Sequence, residues 1–167
     1  MPHFEHQRHK TRSPSSESGE LIVACAPMRS NINLSGIART ASASGINRLI
    51  LTGHAKLIDK IARDGADELS VEVHRTLPPI LKKFSDDGYR LVGLEQTTHS
   101  QDLNHFTFAS RTVLVIGNER TGLTDEILEQ LDDVIEIPVY GLPHSFNVSS
   151  ATAMALYEYR RQQNPPA

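Results

Sequence analysis

The chain has 167 residues, of which 38% are hydrophobic and 22% charged, a composition that suits one soluble globular domain with a core of its own. Its formal net charge is −3 and its pI about 6.2, so it carries no global basic signature, and a nucleic-acid partner would have to be held by local patches. One cysteine, Cys25, excludes internal disulfides and a cysteine-rich metal site, and no stretch approaches the roughly 18 apolar residues of a membrane span.

Residues 1–20, MPHFEHQRHKTRSPSSESGE, combine three histidines, Arg8, Lys10 and Arg12 with a Ser/Pro/Glu-rich stretch that has no apolar periodicity. They read as a mobile arm, either a solvated tail or a basic segment able to track phosphates. No signal-peptide apolar region occurs there, which makes the cytoplasm the expected compartment. Leu21–Ala26 is an apolar run of strand length, in which Cys25 packs as a small hydrophobe. Leu34–Ser44 has helical spacing and stops at Gly45. Arg48–Thr52 reads as a strand closed by Gly53, and Ala55–Arg63 as a helix. Pro79–Asp87 is a second such helix, with prolines in its first turn and Gly88 behind it.

Tyr89–Glu95 and Thr112–Ile116 are nearly continuous apolar runs, as buried parallel strands require. Thr124–Leu131 is a short helix with Leu123, Ile127, Leu128 and Leu131 on one stripe, and Val134–Val139 is the last strand. The final helix runs to about Arg161, with Val148, Ala151, Thr152, Ala155 and Tyr159 at helical spacing, and a frayed tail occupies 163–167. This βαβ alternation predicts a single α/β domain over 21–162, a mostly parallel sheet with helices on both faces. Ligands of such sheets bind beyond the carboxyl ends of the strands, and three loops there stand out.

The first is Asn31–Arg39, NINLSGIAR, where Arg39 falls almost two turns into the helix and could grip a phosphate bidentately or serve as an ordinary surface arginine. The second is Ile116–Leu123, IGNERTGL, with Gly117 and Gly122 permitting unusual backbone and close ligand approach, and Glu119 as its one acid. It lacks the Lys-Ser/Thr of a phosphate-binding loop, and no G-x-G-x-x-G follows any strand, which disfavours nucleotide phosphate and nicotinamide or flavin. An adenine or amino-acid moiety suits such a loop better. The third is Ile137–Glu158, IPVYGLPHSFNVSSATAMALYE, where Ser145 and Asn147 stand at a helix start, as caps or as ligand contacts.

Taken in order, NLSGIARTA, VIGNERTGL and IPVYGLPHSFNVSSATA resemble the three motifs of SpoU/TrmH-type RNA 2′-O-ribose methyltransferases of the SPOUT superfamily, over about residues 20–162. The stretch Gly88–Leu103 further resembles members that methylate tRNA. The resemblance implies bound S-adenosylmethionine, no metal, a C-terminal trefoil knot and a homodimer. It implies Asn33, Arg39, Glu119, Ser145 and Asn147 as the catalytic set, and Leu94, Gly117, Asn118, Ile137, Leu142, Phe146 and Asn147 around the cofactor. Departures are slight: Ser35 replaces a frequent glycine, Phe146 a common leucine, and His144 precedes the serine. The expected partner is RNA, with tRNA favoured over ribosomal RNA and guanosine as the base. The alternatives are methylation of ribosomal RNA and a non-catalytic RNA-binding protein on the same fold.

Overall fold

Neighbouring residues of the central strands face opposite sides of a sheet, and here both sides are apolar. In the computed structural model, which describes residues 1–14, 19–63 and 68–164, the described strands are β1 (Glu20–Cys25), β2 (Arg48–Thr52), β3 (Ser70–His74), β4 (Arg90–Leu94), β5 (Gln101–Asp102), β6 (Arg111–Ile116) and β7 (Asp133–Glu136). All seven are parallel, in the order β3-β2-β1-β6-β4-β7-β5. β1 pairs with β6 along its whole length, from Glu20–Arg111 to Cys25–Ile116.

Leu21, Val23, Cys25, Leu49, Leu51, Leu114 and Ile116 point into one core. It is closed by α1 (Asn31–Ala43) and α5 (Val148–Gln163) through Leu34, Ile37, Ala41, Ala155, Leu156 and Tyr159. The alternate residues Ile22, Ala24, Ile50, Leu91, Val113 and Val115 point into a second core. It is covered by α3 (Pro78–Asp86) and α4 (Asp125–Leu128) through Leu81, Phe84 and Ile127, while α2 (Asp59–Ala62) is a single turn beside α1. Fully burying one such aliphatic side chain contributes roughly 1.5–3 kcal/mol, which is why strands feeding two cores read as unbroken apolar runs. Cys25 lies wholly inside the first core, where burial pushes its thiol up to about 12.

Most expected elements are present within two residues, and the differences have local causes. The helix expected over Ala55–Arg63 shrinks to α2, because the amides of Lys56 and Ile58 are bonded to Asn31 Oδ1 and Ser35 Oγ of α1 at 3.2 and 2.7 Å. Conversely, α1 starts three residues early, since Ser30 caps it by accepting from the Asn33 amide. The edge strand β3 was not expected: its two valines alternate with Ser70, Glu72 and His74, and Val73 is 56% exposed. The last strand ends at Glu136 rather than Val139, and Ile137–Val139 already belongs to the loop. α5 runs on to Gln163, and Gln162 holds Phe106 and Phe108 through their backbone at 2.6 and 3.0 Å. Residues 15–18 of the expected arm and 165–167 of the expected tail lie outside the described residues. Among the described residues, no helix is long and apolar enough to cross a membrane, and no group of His, Cys, Asp and Glu could hold a metal ion.

α1 and α5 run side by side in the same direction. Their beginnings meet where Asn147 Nδ2 donates to Asn33 Oδ1, and their ends where the Arg160 guanidinium donates to the Ser44 and Gly45 carbonyls. Between these points a Cβ on Gly36 would lie 2.5 Å from Ser149 Oγ, so a larger residue there would make the Ser149 hydroxyl turn away. Arg160→Met keeps the aliphatic stem and removes both donors. It is expected to lower stability by about 1–2 kcal/mol, read as a lower urea midpoint at unchanged slope.

Candidate active site

The parallel strands place every strand-to-helix loop on one edge of the sheet, and the three loops singled out in the sequence meet there. The loop after β6 is shaped by Asn118. Its backbone N–H and C=O pair with Gly122 at 3.1 and 2.9 Å, and its side-chain oxygen accepts from the amides of Arg120 and Thr121. Its side-chain nitrogen donates to the Pro27 carbonyl at 2.9 Å, tying this loop to the one after β1. Gly122 takes φ +69°, where a side chain is strained. A Cβ on Gly117 would lie 2.6 Å from the Gly122 carbonyl carbon, so this glycine first serves the loop's own closure.

Glu119 reaches across the same gap. Its Oε1 accepts from the amides of Arg29 and Ser30 at 2.9 and 3.0 Å, immediately before α1, while its buried Oε2 has no partner among the described residues. A carboxylate beside the positive end of a helix is well placed electrostatically, and the lone buried oxygen remains an unused acceptor.

Asn33 sits in the first turn of α1 and not in a loop. Asn147 caps α5, its Oδ1 accepting from the amides of Ser149 and Ser150 at 2.9 and 3.2 Å. The 3.0 Å bond from Asn147 Nδ2 to Asn33 Oδ1 joins the first and third motifs across 114 residues of chain. Arg39 follows Asn33 by six residues, about 9 Å along the helix. It is exposed, and its guanidinium has no hydrogen bond or ion pair among the described residues. Ser145 is likewise exposed and unbonded there, on the loop that carries the cis Leu142-Pro143 peptide and His144 at φ +76°. In that loop Leu142 is 82% and Phe146 42% exposed, whereas Leu94 and Ile137 are half-buried against the first core. The structure thus brings Asn33, Asn118, Glu119 and Asn147 into contact with the loops they serve, and leaves Arg39 and Ser145 facing outward.

The sequence reading missed Glu95 and Gln96. Glu95 follows β4 and accepts from the amides of Leu123 at 3.0 Å and Gln96 at 3.0 Å, one bond to each carboxylate oxygen. The Gln96 side chain in turn donates to the His144 carbonyl at 3.1 Å, so these two residues link the second loop to the third. An acid closing an apolar strand beside a glycine loop was the available signal. The roles of Ser30, Asn31 and Ser35 were missed as well: each accepts from a backbone amide, and Ser35 also donates to the Asn31 carbonyl.

Glu119→Ala leaves the amides of Arg29 and Ser30 without their acceptor. It is expected to cost about 1–3 kcal/mol by denaturant titration, with Glu119→Gln recovering most of the loss through its one remaining oxygen. Equal stability of Glu119→Ala and the parent chain would contradict the bracing role.

Comparison with known proteins bears on this arrangement. Residues 20–157 match the model of the SpoU rRNA Methylase family. The chain is 32% identical over 153 residues to the tRNA (guanosine(18)-2′-O)-methyltransferase TARBP1 of Mus musculus, covering 86% of this chain and 9% of that protein. It is 34% identical over 149 residues to the tRNA (guanosine(18)-2′-O)-methyltransferase of Aquifex aeolicus, covering 86% and 70%. The crystal structure of the A. aeolicus TrmH/SpoU tRNA modifying enzyme superposes with a TM-score of 0.82 at 32% identity, over 89% of this chain and 77% of that one. The SpoU methyltransferase AviRb of Streptomyces viridochromogenes, in complex with AdoMet, gives 0.74 at 27% identity, over 89% and 62%. The chain therefore spans less than a tenth of the mouse relative and 70% of the A. aeolicus one. With the family's model matched from the first residue of β1 into the final helix, the chain belongs to the SpoU rRNA methylase family.

Proposed function

We propose that this protein is an S-adenosylmethionine-dependent RNA methyltransferase acting on a ribose 2′-hydroxyl of tRNA, with a guanosine as the target. The observation that carries this reading is the Asn33–Asn147 bond, which sets the two motif helices side by side with Arg39 exposed beside them. The named activities of the mouse and A. aeolicus relatives support the substrate class.

The residues present fit the methyl donor. Apolar side chains at the ends of β4 and β7 and in the third loop (Leu94, Ile137, Leu142, Phe146) suit a purine, and the lone buried Glu119 Oε2 suits a hydroxyl or ammonium. In this reading Gly117, Asn118 and Asn147 border the donor on its polar side. When bound, S-adenosylmethionine supplies a methyl group whose transfer to the 2′-oxygen releases a neutral thioether and one proton, with no need of a metal. Arg39 is effectively always protonated, so it serves as a cation and not as a base. It grips the phosphate next to the target ribose and stabilises negative charge growing on the 2′-oxygen, the proton passing to phosphate or water. Ser145 and Asn33 orient the ribose, and Glu119 with Asn147 holds the loops that meet it.

The working unit in this reading is a homodimer of knotted domains. On α5 Met154 is 37% and Tyr157 78% exposed, and Ile32 of α1 and Tyr140, Leu142 and Phe146 of the third loop are exposed as well. So much exposed apolar surface suits a second copy.

Incubation with labelled S-adenosylmethionine and unmodified tRNA or ribosomal RNA, followed by nuclease digestion and mass mapping, is expected to place one ribose methyl on tRNA. A methyl on ribosomal RNA alone would overturn the substrate. Arg39→Ala is expected to lower the turnover rate about 10²–10³-fold. An Arg39→Lys variant at nearly full rate would overturn the bidentate grip, and a concentration-independent monomer in sedimentation would overturn the dimer.

A further inference from the structure

The cations at the two edges of the sheet differ in how they are bonded. At the amino ends of the strands all but Lys83 of α3, which is exposed and unpaired, are engaged within the molecule. Arg48 pairs with Glu72 at 2.8 Å, Arg90 pairs with Asp133, and Arg111 donates to the Asp87 carbonyl while lying over the Tyr89 ring. Arg12 pairs with Glu68, ahead of β3, at 2.6 Å. At the carboxyl ends the pattern reverses. Arg75 directly follows β3, Lys56 lies four residues after β2, Arg29 four after β1, and Arg120 four after β6. All four are exposed, and none has a side-chain hydrogen bond or ion pair among the described residues.

These four strands are consecutive in the sheet, β3-β2-β1-β6, so the four free cations form a row along one edge. At about 4.8 Å per strand the row spans roughly 14 Å, the length of several backbone phosphates. The loops after β4 and β7, on the other half of the edge, carry no lysine or arginine; they hold Gln96, His99, Tyr140, Ser145 and Phe146 instead. Asn33 and Arg39, on the helix after β1, stand at the border between the halves. The acids nearest the row are few. Glu119 and Glu95 are bonded to backbone amides, and Asp59, Asp125 and Glu126 lie on the short helices behind the row.

Building on the methyltransferase reading above, we propose that the row Arg75, Lys56, Arg29, Arg120 is the track of the RNA phosphate backbone. The strand crosses the β3-to-β6 half of the edge and delivers its target ribose to Asn33 and Arg39, while the half without lysine or arginine holds the methyl donor. This gives a chain of net charge −3 a local means of holding a polyanion, through charges that no internal carboxylate neutralises.

The test uses the full chain and an unmodified tRNA transcript. Binding is followed by fluorescence anisotropy over a salt series, and methyl transfer by its KM for the same RNA. A Lys56→Ala/Arg75→Ala double variant is expected to reduce the slope of log K against log salt by about one unit per cation and to raise KM about tenfold, with S-adenosylmethionine affinity unchanged. Lys82→Ala, on α3 and paired with Asp86, removes the same charge off the row and is expected to change neither quantity. Slope and KM within twofold of the parent chain in the double variant, or an equal effect of Lys82→Ala, would overturn the track. A parent chain that binds tRNA but transfers no methyl would overturn the enzymatic reading, while the salt slopes would still decide the track.

Discussion

The close, parallel packing of α1 against α5 is the constraint on which the rest of this molecule depends. The two helices are contiguous only because the seam is built from small side chains, with Gly36 against Ser149 and Ala38, Ala41, Thr152 and Ala155 buried beneath. Each helix also covers its own strands, so neither can shift without opening the first core. Their common direction brings both amino ends to the carboxyl edge of the sheet, where Asn33 meets Asn147. A bond between residues 114 positions apart is entropically costly unless other contacts have already fixed its ends. Here the aliphatic core does that work, and the bond sets register at the point where chemistry is expected.

The loops around that point are held by side chains that bond backbone amides. Glu119 takes two amides before α1, Glu95 one beyond β4 and one beyond β6, Asn118 two within its own turn, and Asn147 two at the start of α5. Every one of these acceptors crosses or closes a turn that would otherwise leave N–H groups without partners. Such bonds make the loops into fixed surfaces without filling the space between them. The residues left unbonded, Arg39 and Ser145, are the ones whose proposed work is directed at a ligand.

This division also explains what the sequence could convey. The buried strands were legible because two covered faces demand long apolar runs, and α1, α3 and α5 because glycine or proline punctuates them. β3 was not legible: an edge strand needs only one packed face, and Val71 and Val73 make too short a pattern to separate from loop. α2 was overestimated because its alanine-, leucine- and lysine-rich stretch has good helix propensity, while the amides that would start the helix are held by α1 side chains remote in sequence. For the proposed site, the resemblance of the three motifs singled out Asn33, Arg39, Glu119, Ser145 and Asn147, but not which of them touch. Gly117 illustrates the limit, since its missing side chain makes room for Gly122 and Leu123 before any ligand is considered. Glu95 and Gln96 act only through partners in other loops, which no local pattern encodes.

If the proposed reading holds, a slightly acidic protein that binds RNA must place its charge well, because it has no surplus to spread. Pairing at the amino edge, Arg48 with Glu72 and Arg90 with Asp133, removes cations from competition there and fastens strands that the helices cover incompletely. These pairs are partly exposed, and as stabilising contacts each is worth at most about 1 kcal/mol. Their larger effect is on the field of the whole molecule. With most cations of one edge paired, the unpaired row at the other edge is a positive feature beside the asparagine pair that joins the two motif helices. Long-range attraction is screened beyond about 8 Å at physiological salt, so distant basic residues would add little. Position along the edge therefore matters more than total charge, and the same parallel topology that gathers the three motif loops also gathers the cations beside them.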